Sequence, residues 1–151
     1  MTIGIIKVSF MNHHTIAYKL SSWLPVVFVC ALIFYISSYQ TATVSSVQSD
    51  EFIIKKIAHI LWSSSLAIFT FRAFVREGAS RKKAALFAIL FVFLYGCTDE
   101  IHQRFVIGRE SRFRDVLIDT SGASIAILGL WKLLPKMPKR LTTLASQWDL
   151  L

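Results

Sequence analysis

"AALFAILFVFLYGCTDEIHQ", Ala84 to Gln103, begins as a membrane span and ends as something else. The apolar run stops at Cys97. Crossing the hydrocarbon of a bilayer takes about 20 residues at a rise of about 1.5 Å each. The helix reaches that length only by carrying Asp99, Glu100 and Gln103 with it. At about 100° per residue these three fall within one arc, with Tyr95 beside Asp99. The span therefore has a polar stripe at one end, and other parts of the chain must face it.

The chain has 151 residues, enough for one domain. An apolar fraction of 54%, with twelve Phe, four Trp and four Tyr, is too high for a soluble surface. The net charge of +8 would point to nucleic acid in a soluble protein. Here the basic residues are dispersed over the ends of apolar runs, which fits a membrane protein and argues against nucleic-acid binding. The two cysteines, Cys30 and Cys97, show no metal-ligand spacing. Spanning helices would set them at different depths, too far apart for a disulfide, so both read as small buried hydrophobes.

Three further spans follow the same logic. They are Trp23 to Tyr39, Phe52 to Val75 and Asp115 to Leu134, with Ala84 onward as the third in order. Pro25 suits the first turn of its helix. The chain divides into an amino-terminal segment 1–22, a four-helix membrane domain 23–134 and a tail 135–151, and Met11 is an alternative start. The tail after Pro138 forms either a short surface helix or a solvated end. Lys and Arg concentrate in "REGASRKK" (76–83) and towards both termini, while Ser45 to Phe52 has no basic residue before Lys55 and Lys56. The expectation is an all-α integral membrane four-helix bundle with both termini cytoplasmic.

Arg104, Arg109, Arg112 and Arg114 break that charge rule, lying in the outer loop interleaved with acids. On the fourth span Asp115 and Asp119 share a face with Gly122, Ala126 and Gly129, a small-residue seam that lets helices approach closely. Lys56 and His59, at i and i+3, share a face of the second span. Taken singly, each is an interfacial charge snorkelling to water. Together, at similar depth on three helices, they are expected to point at one another, because unpaired charge near hydrocarbon is costly. Lys56 and the arginines would neutralise Asp99, Glu100, Asp115 and Asp119, with Asp115 orienting Arg109.

The run "DEIHQRFVIGRESRFRDVLIDTSGA" (99–123) resembles the hallmark of the VanZ-like membrane proteins: DExxQ, then GR, then D-V-L and a small-residue helix. Asp99, Glu100, Gln103, Phe105, Gly108, Arg109, Asp115, Val116, Leu117 and Gly122 fall on it. "KIAH", with Lys56 and His59, is similar to the family's Lys-x-x-His. "IFYISSYQTATVSS" (33–46) looks like its Ser-Ser-Gln turn. The chain departs from the pattern at Lys55, Ile60, Ser63 and Asp119, where an acid, an aromatic, a Tyr and an Asn are common. The resemblance implies a multi-pass protein of the bacterial cytoplasmic membrane and cell envelope. The founding member is associated with resistance to the lipoglycopeptide teicoplanin.

Two functions fit these residues. In the first, the protein is an enzyme acting on a lipid or lipid-linked anionic molecule at the outer leaflet. Glu100 or Asp99 is then the general acid or base, and His59 shuttles a proton. Lys56 and Arg109 hold the anionic head group, and Gln103, Asp115 and Asp119 complete its site. In the second, the same residues bind a lipid, a lipid-linked precursor or a lipoglycopeptide without chemistry. No phosphate loop, serine elbow or HExxH is present. No metal or cofactor is expected, although Asp99, Glu100, His102, Asp115 and Asp119 have donor types that a carboxylate–histidine site uses. His102, taken alone, reads as an interfacial side chain, and His13 and His14 as solvated ones.

Overall fold

The computed structural model describes residues 2–39, 48–109 and 111–150. Five helices follow in order: α1 Thr2–Ser37, α2 Gln48–Arg76, α3 Arg81–Gln103, α4 Phe113–Lys132 and α5 Lys139–Gln147. A 3₁₀ turn, Leu134–Lys136, precedes α5, and no strand occurs among the described residues. Four apolar stretches of 22, 21, 23 and 24 residues coincide with the long helices: Ile16–Ser37, Lys56–Arg76, Arg81–Gln103 and Phe113–Lys136, the last running from α4 through the 3₁₀ turn. Each is long enough to cross a bilayer.

The distribution of side-chain sizes agrees with a lipid surround. Residues fully buried between helices are mostly small, including Ala67, Ala73, Ala84, Ala88 and Ala123. Large apolar residues point outward, as with Leu24, Phe28, Leu86 and Ile125. Water would penalise that arrangement, whereas lipid tails accept it and close helix approach depends on small residues. The most extensive interface joins α2 to α4; α3 packs on both, and α1 leans mainly on α2.

Two local features fix the α2–α3 connection. Gly78 adopts φ +88°, the left-handed conformation that ends a helix without a Cβ penalty. Its N–H donates to the Val75 carbonyl, and the Ala79 N–H reaches back to Phe74, each at 3.0 Å. This closure turns the chain within four residues into α3.

Several expectations change in detail. The described apolar stretch of α1 is Ile16–Ser37, and α1 itself runs unbroken from Thr2 through Trp23. Lys19 sits within that stretch with an exposed side chain near Glu77, as a snorkelling lysine can. Pro25 therefore lies in a helix interior, a position that membrane helices tolerate. The third span does extend through the acidic motif to Gln103. The tail after Pro138 forms α5. Cys30 and Cys97 are free and half-buried. The side chains of His13, His14, Lys55 and Glu110, and the segment 40–47, lie outside the described residues.

Candidate functional site

The carboxyl ends of α1 and α3 and the amino-terminal parts of α2 and α4 meet at one end of the bundle, here the acidic end. Asp99, Glu100 and Gln103 are all buried on α3, as their shared arc requires, and Asp115 is buried on α4. The two faces meet those of α2 and α1 through specific donors.

On α2, Lys56 forms an ion pair with Asp115. One turn deeper, His59 Nδ1 lies 3.3 Å from Asp119 Oδ2. Successive turns of α2 thus address successive turns of α4, so the i, i+3 spacing of one helix matches the i, i+4 spacing of the other. Asp115 is also in the first turn of α4, where unsatisfied backbone N–H groups favour an anion. Close approach makes the ladder possible. A Cβ on Gly122 would lie 3.0 Å from the Ser63 hydroxyl oxygen and 3.3 Å from Ile60. Of the small-residue seam, Gly129 has no heavy atom within 4 Å of its Cβ position, so the seam is tight only at its acidic end.

Asp99 is placed less favourably, near the carboxyl end of α3 where the backbone dipole is negative. Two donors offset this. The Ser37 hydroxyl donates to one oxygen at 2.5 Å and Gln103 Nε2 to the other at 2.7 Å. Glu100 accepts the backbone N–H of Arg112 at 2.7 Å, which pins the start of α4 to the end of α3.

Arg109 departs from expectation. Asp115 is taken by Lys56, and Arg109 reaches the exposed end of α1 instead. Its Nε donates to the Tyr39 carbonyl at 3.1 Å and its Nη2 to that of Ile36 at 2.8 Å. The last carbonyls of a helix lack intrahelical donors, and a guanidinium satisfies two at once. Gly108, at φ +80°, turns the loop just before it. Arg104, Arg112 and Arg114 are exposed around the same loop.

Sequence reasoning missed Ser37, which holds Asp99, and the link between Ser38 and His102. The Ser38 hydroxyl oxygen lies 3.0 Å from His102 Nε2, and the His102 ring stacks on Phe34 with centroids 4.2 Å apart. The Ser-Ser turn was the available signal. Tyr95 donates its hydroxyl to the Cys30 carbonyl at 2.6 Å, one of few ties between α1 and α3. An open groove beside it is lined by Val27, Cys30, Ala31, Phe34, Tyr35 and Ser38. Among the described residues no group of three or more His, Cys, Asp or Glu is arranged to hold a metal ion.

No curated protein and no solved structure matches this sequence significantly. The model of the VanZ/LLP1 family matches residues 5–134, which takes in α2, α3, α4, all but the first three residues of α1 and every residue of the acidic end, while leaving out α5. This multi-pass membrane chain belongs to the VanZ/LLP1 family.

Proposed function

We propose that the protein acts on a lipid or lipid-linked anionic molecule of the bacterial envelope, at the outer leaflet of the cytoplasmic membrane. The observation that carries this reading is the joint burial of Asp99, Glu100, Gln103 and Asp115. Charges that merely end a span reach outward to water; these are drawn inward and held by donors from other segments. Glu100 is the acid or base, Asp99 is poised by Ser37 and Gln103, and the His59–Asp119 pair relays protons. Lys56 already faces Asp115, so the head group falls mainly to Arg109, held on the Tyr39 and Ile36 carbonyls at the exposed end of α1. The groove alongside Tyr95 would admit a lipid tail.

A binding-only reading draws on one observation: each of the four carboxylates already has a donor within the bundle. The two readings separate on Glu100→Gln, which keeps size and hydrogen-bonding capacity but removes proton transfer. Lipid retention and turnover are measured on purified variants in matched bilayers. Catalysis predicts a loss of about 10²–10⁴-fold in turnover with retention preserved, and Arg109→Ala weakens retention under either reading. Unchanged retention and turnover in both variants would reduce the cluster to structural ion pairs. The founding member's association with teicoplanin motivates a cellular test. Expression in a glycopeptide-sensitive bacterium should raise teicoplanin tolerance, and Glu100→Gln should remove the gain.

The choice of leaflet follows from the positive-inside rule. In a background lacking Cys30 and Cys97, a cysteine at Ser111 should label from outside intact cells, and one at Ser80 only after permeabilisation. The opposite pattern would place the acidic end in the cytoplasm.

A further inference from the structure

At the other end of the bundle, α5 carries a surface that the acidic end does not explain and that lies beyond the residues matched to the family. Leu141, Leu144 and Trp148, at i, i+3 and i+7, fall within about 60° of helical arc. They are 45%, 54% and 56% exposed, and Met137 extends the same apolar surface just before the helix. The remaining residues of α5 are polar, basic or small, with no acid among them. Segregated apolar residues on a polar helix mark a segment lying in a membrane interface.

The chain at Ala145 and just after α5 is tied to the bundle, which limits how far the apolar stripe can roll inward. Ala145 is buried, and Leu150 packs against the core. Arg72 Nε donates to the Trp148 carbonyl at 2.9 Å, and its guanidinium lies 5.7 Å from the Trp148 ring centroid. Arg76 Nε is 3.7 Å from Asp149. On the other side, the apolar stretch that begins with α4 ends in the 3₁₀ turn at Lys136, and α5 begins at Lys139. Two intervening residues reach no more than about 10 Å. The stripe therefore stays at the level where the hydrocarbon of the bilayer ends.

Charge identifies what covers it. Lys132, Lys136, Lys139 and Arg140 flank the stripe, and exposed Lys82 and Lys83 open α3 at the same end. We propose that α5 is an in-plane anchor whose apolar face enters the bilayer while these cations engage anionic phospholipid head groups. The contact is separate from the acidic site at the far end and does not rest on its chemistry.

The test uses full-length protein reconstituted in phosphatidylcholine vesicles, with or without phosphatidylglycerol. Cys30 and Cys97 are replaced by Ala, and an environment-sensitive fluorophore is attached at Leu144→Cys or, on the opposite face, at Ser146→Cys. The label at 144 should be quenched by shallow spin-labelled lipids and shielded several-fold from aqueous iodide relative to 146. Adding phosphatidylglycerol should increase that shielding, and Lys136→Gln, Lys139→Gln and Arg140→Gln together should abolish the increase. Equal iodide access at 144 and 146 would overturn the anchor. Shielding at 144 that grows with protein-to-lipid ratio would assign the stripe to a second copy of the chain instead. Shielding indifferent to phosphatidylglycerol would overturn the choice of anionic lipid.

Discussion

The two ends of the bundle use charge in opposite ways. At the acidic end Asp99, Glu100 and Asp115 are buried and met by partners on other helices or on the loop before α4. At the basic end Lys82, Lys83, Lys132, Lys139 and Arg140 are exposed, and the arginines of α2 bond the tail and stack on rings. Arg76 lies over Tyr18 at 4.1 Å, and Arg72 holds the Trp148 carbonyl. Exposed charges act additively and weakly on orientation and lipid contact. Buried ones are interdependent, since removing one strands its partner. The contrast predicts where substitutions are severe.

The largest effect should come from the Lys56–Asp115 pair. Lys56→Met or Asp115→Leu alone leaves an uncompensated charge in a poorly hydrated setting and should cost about 3–5 kcal/mol. The two changes together should cost less than either alone, because an apolar replacement for both partners is often neutral. Unfolding of the purified protein in one bilayer mimic gives all three values and their coupling. Additive losses would show that the acidic end behaves like the basic one. As a control, Lys139→Met should change stability by less than about 0.5 kcal/mol.

Next in size is the close approach that lets α2 reach α4. Gly122→Ala inserts a Cβ 3.0 Å from Ser63 Oγ and 3.3 Å from Ile60. Overpacking of this kind should cost about 1–3 kcal/mol. Gly129→Ala, with no neighbour within 4 Å, should be neutral or stabilising by up to about 1 kcal/mol through helix propensity. The same unfolding assay reads both. A neutral Gly122→Ala would mean that the ladder does not depend on tight packing at its acidic end.

Much of this contrast was legible in the sequence, for a physical reason. Helical period converts spacing into faces, so Asp99, Glu100 and Gln103, and Lys56 with His59, could be grouped before their surroundings were known. Lipid also rewards long apolar runs, which made the four spans readable. What spacing cannot supply is which face meets which. Arg109 was matched to Asp115 on charge alone. The structure brings the α3–α4 loop beside the end of α1, where the carbonyls of Ile36 and Tyr39 take the guanidinium. Ser37 is easily passed over because a serine ending an apolar run commonly faces its own helix, and its Oγ does lie 2.6 Å from the Ile33 carbonyl oxygen. The bond it donates to Asp99 exists only in three dimensions.

Among the changes at the acidic end, the smallest effect should be that of Asp119→Asn, one turn below the ion pair. Asp119 Oδ2 is 3.3 Å from His59 Nδ1, longer than the usual N–H···O distance of about 2.9–3.0 Å. Asn keeps the side-chain shape and an oxygen in place, so the exchange should cost about 0.5–1.5 kcal/mol, the range of a single hydrogen bond. Asp115→Asn, by contrast, removes the buried carboxylate that pairs with half-buried Lys56 and should cost several times as much. Measured side by side, the ratio locates the boundary between the charges that hold the bundle and those free for chemistry. A loss equal to that of Asp115→Asn would make His59–Asp119 a second structural ion pair and remove it from the proposed proton path. Full stability with lost lipid turnover would keep it there, since Asn preserves the contact and withholds only the proton.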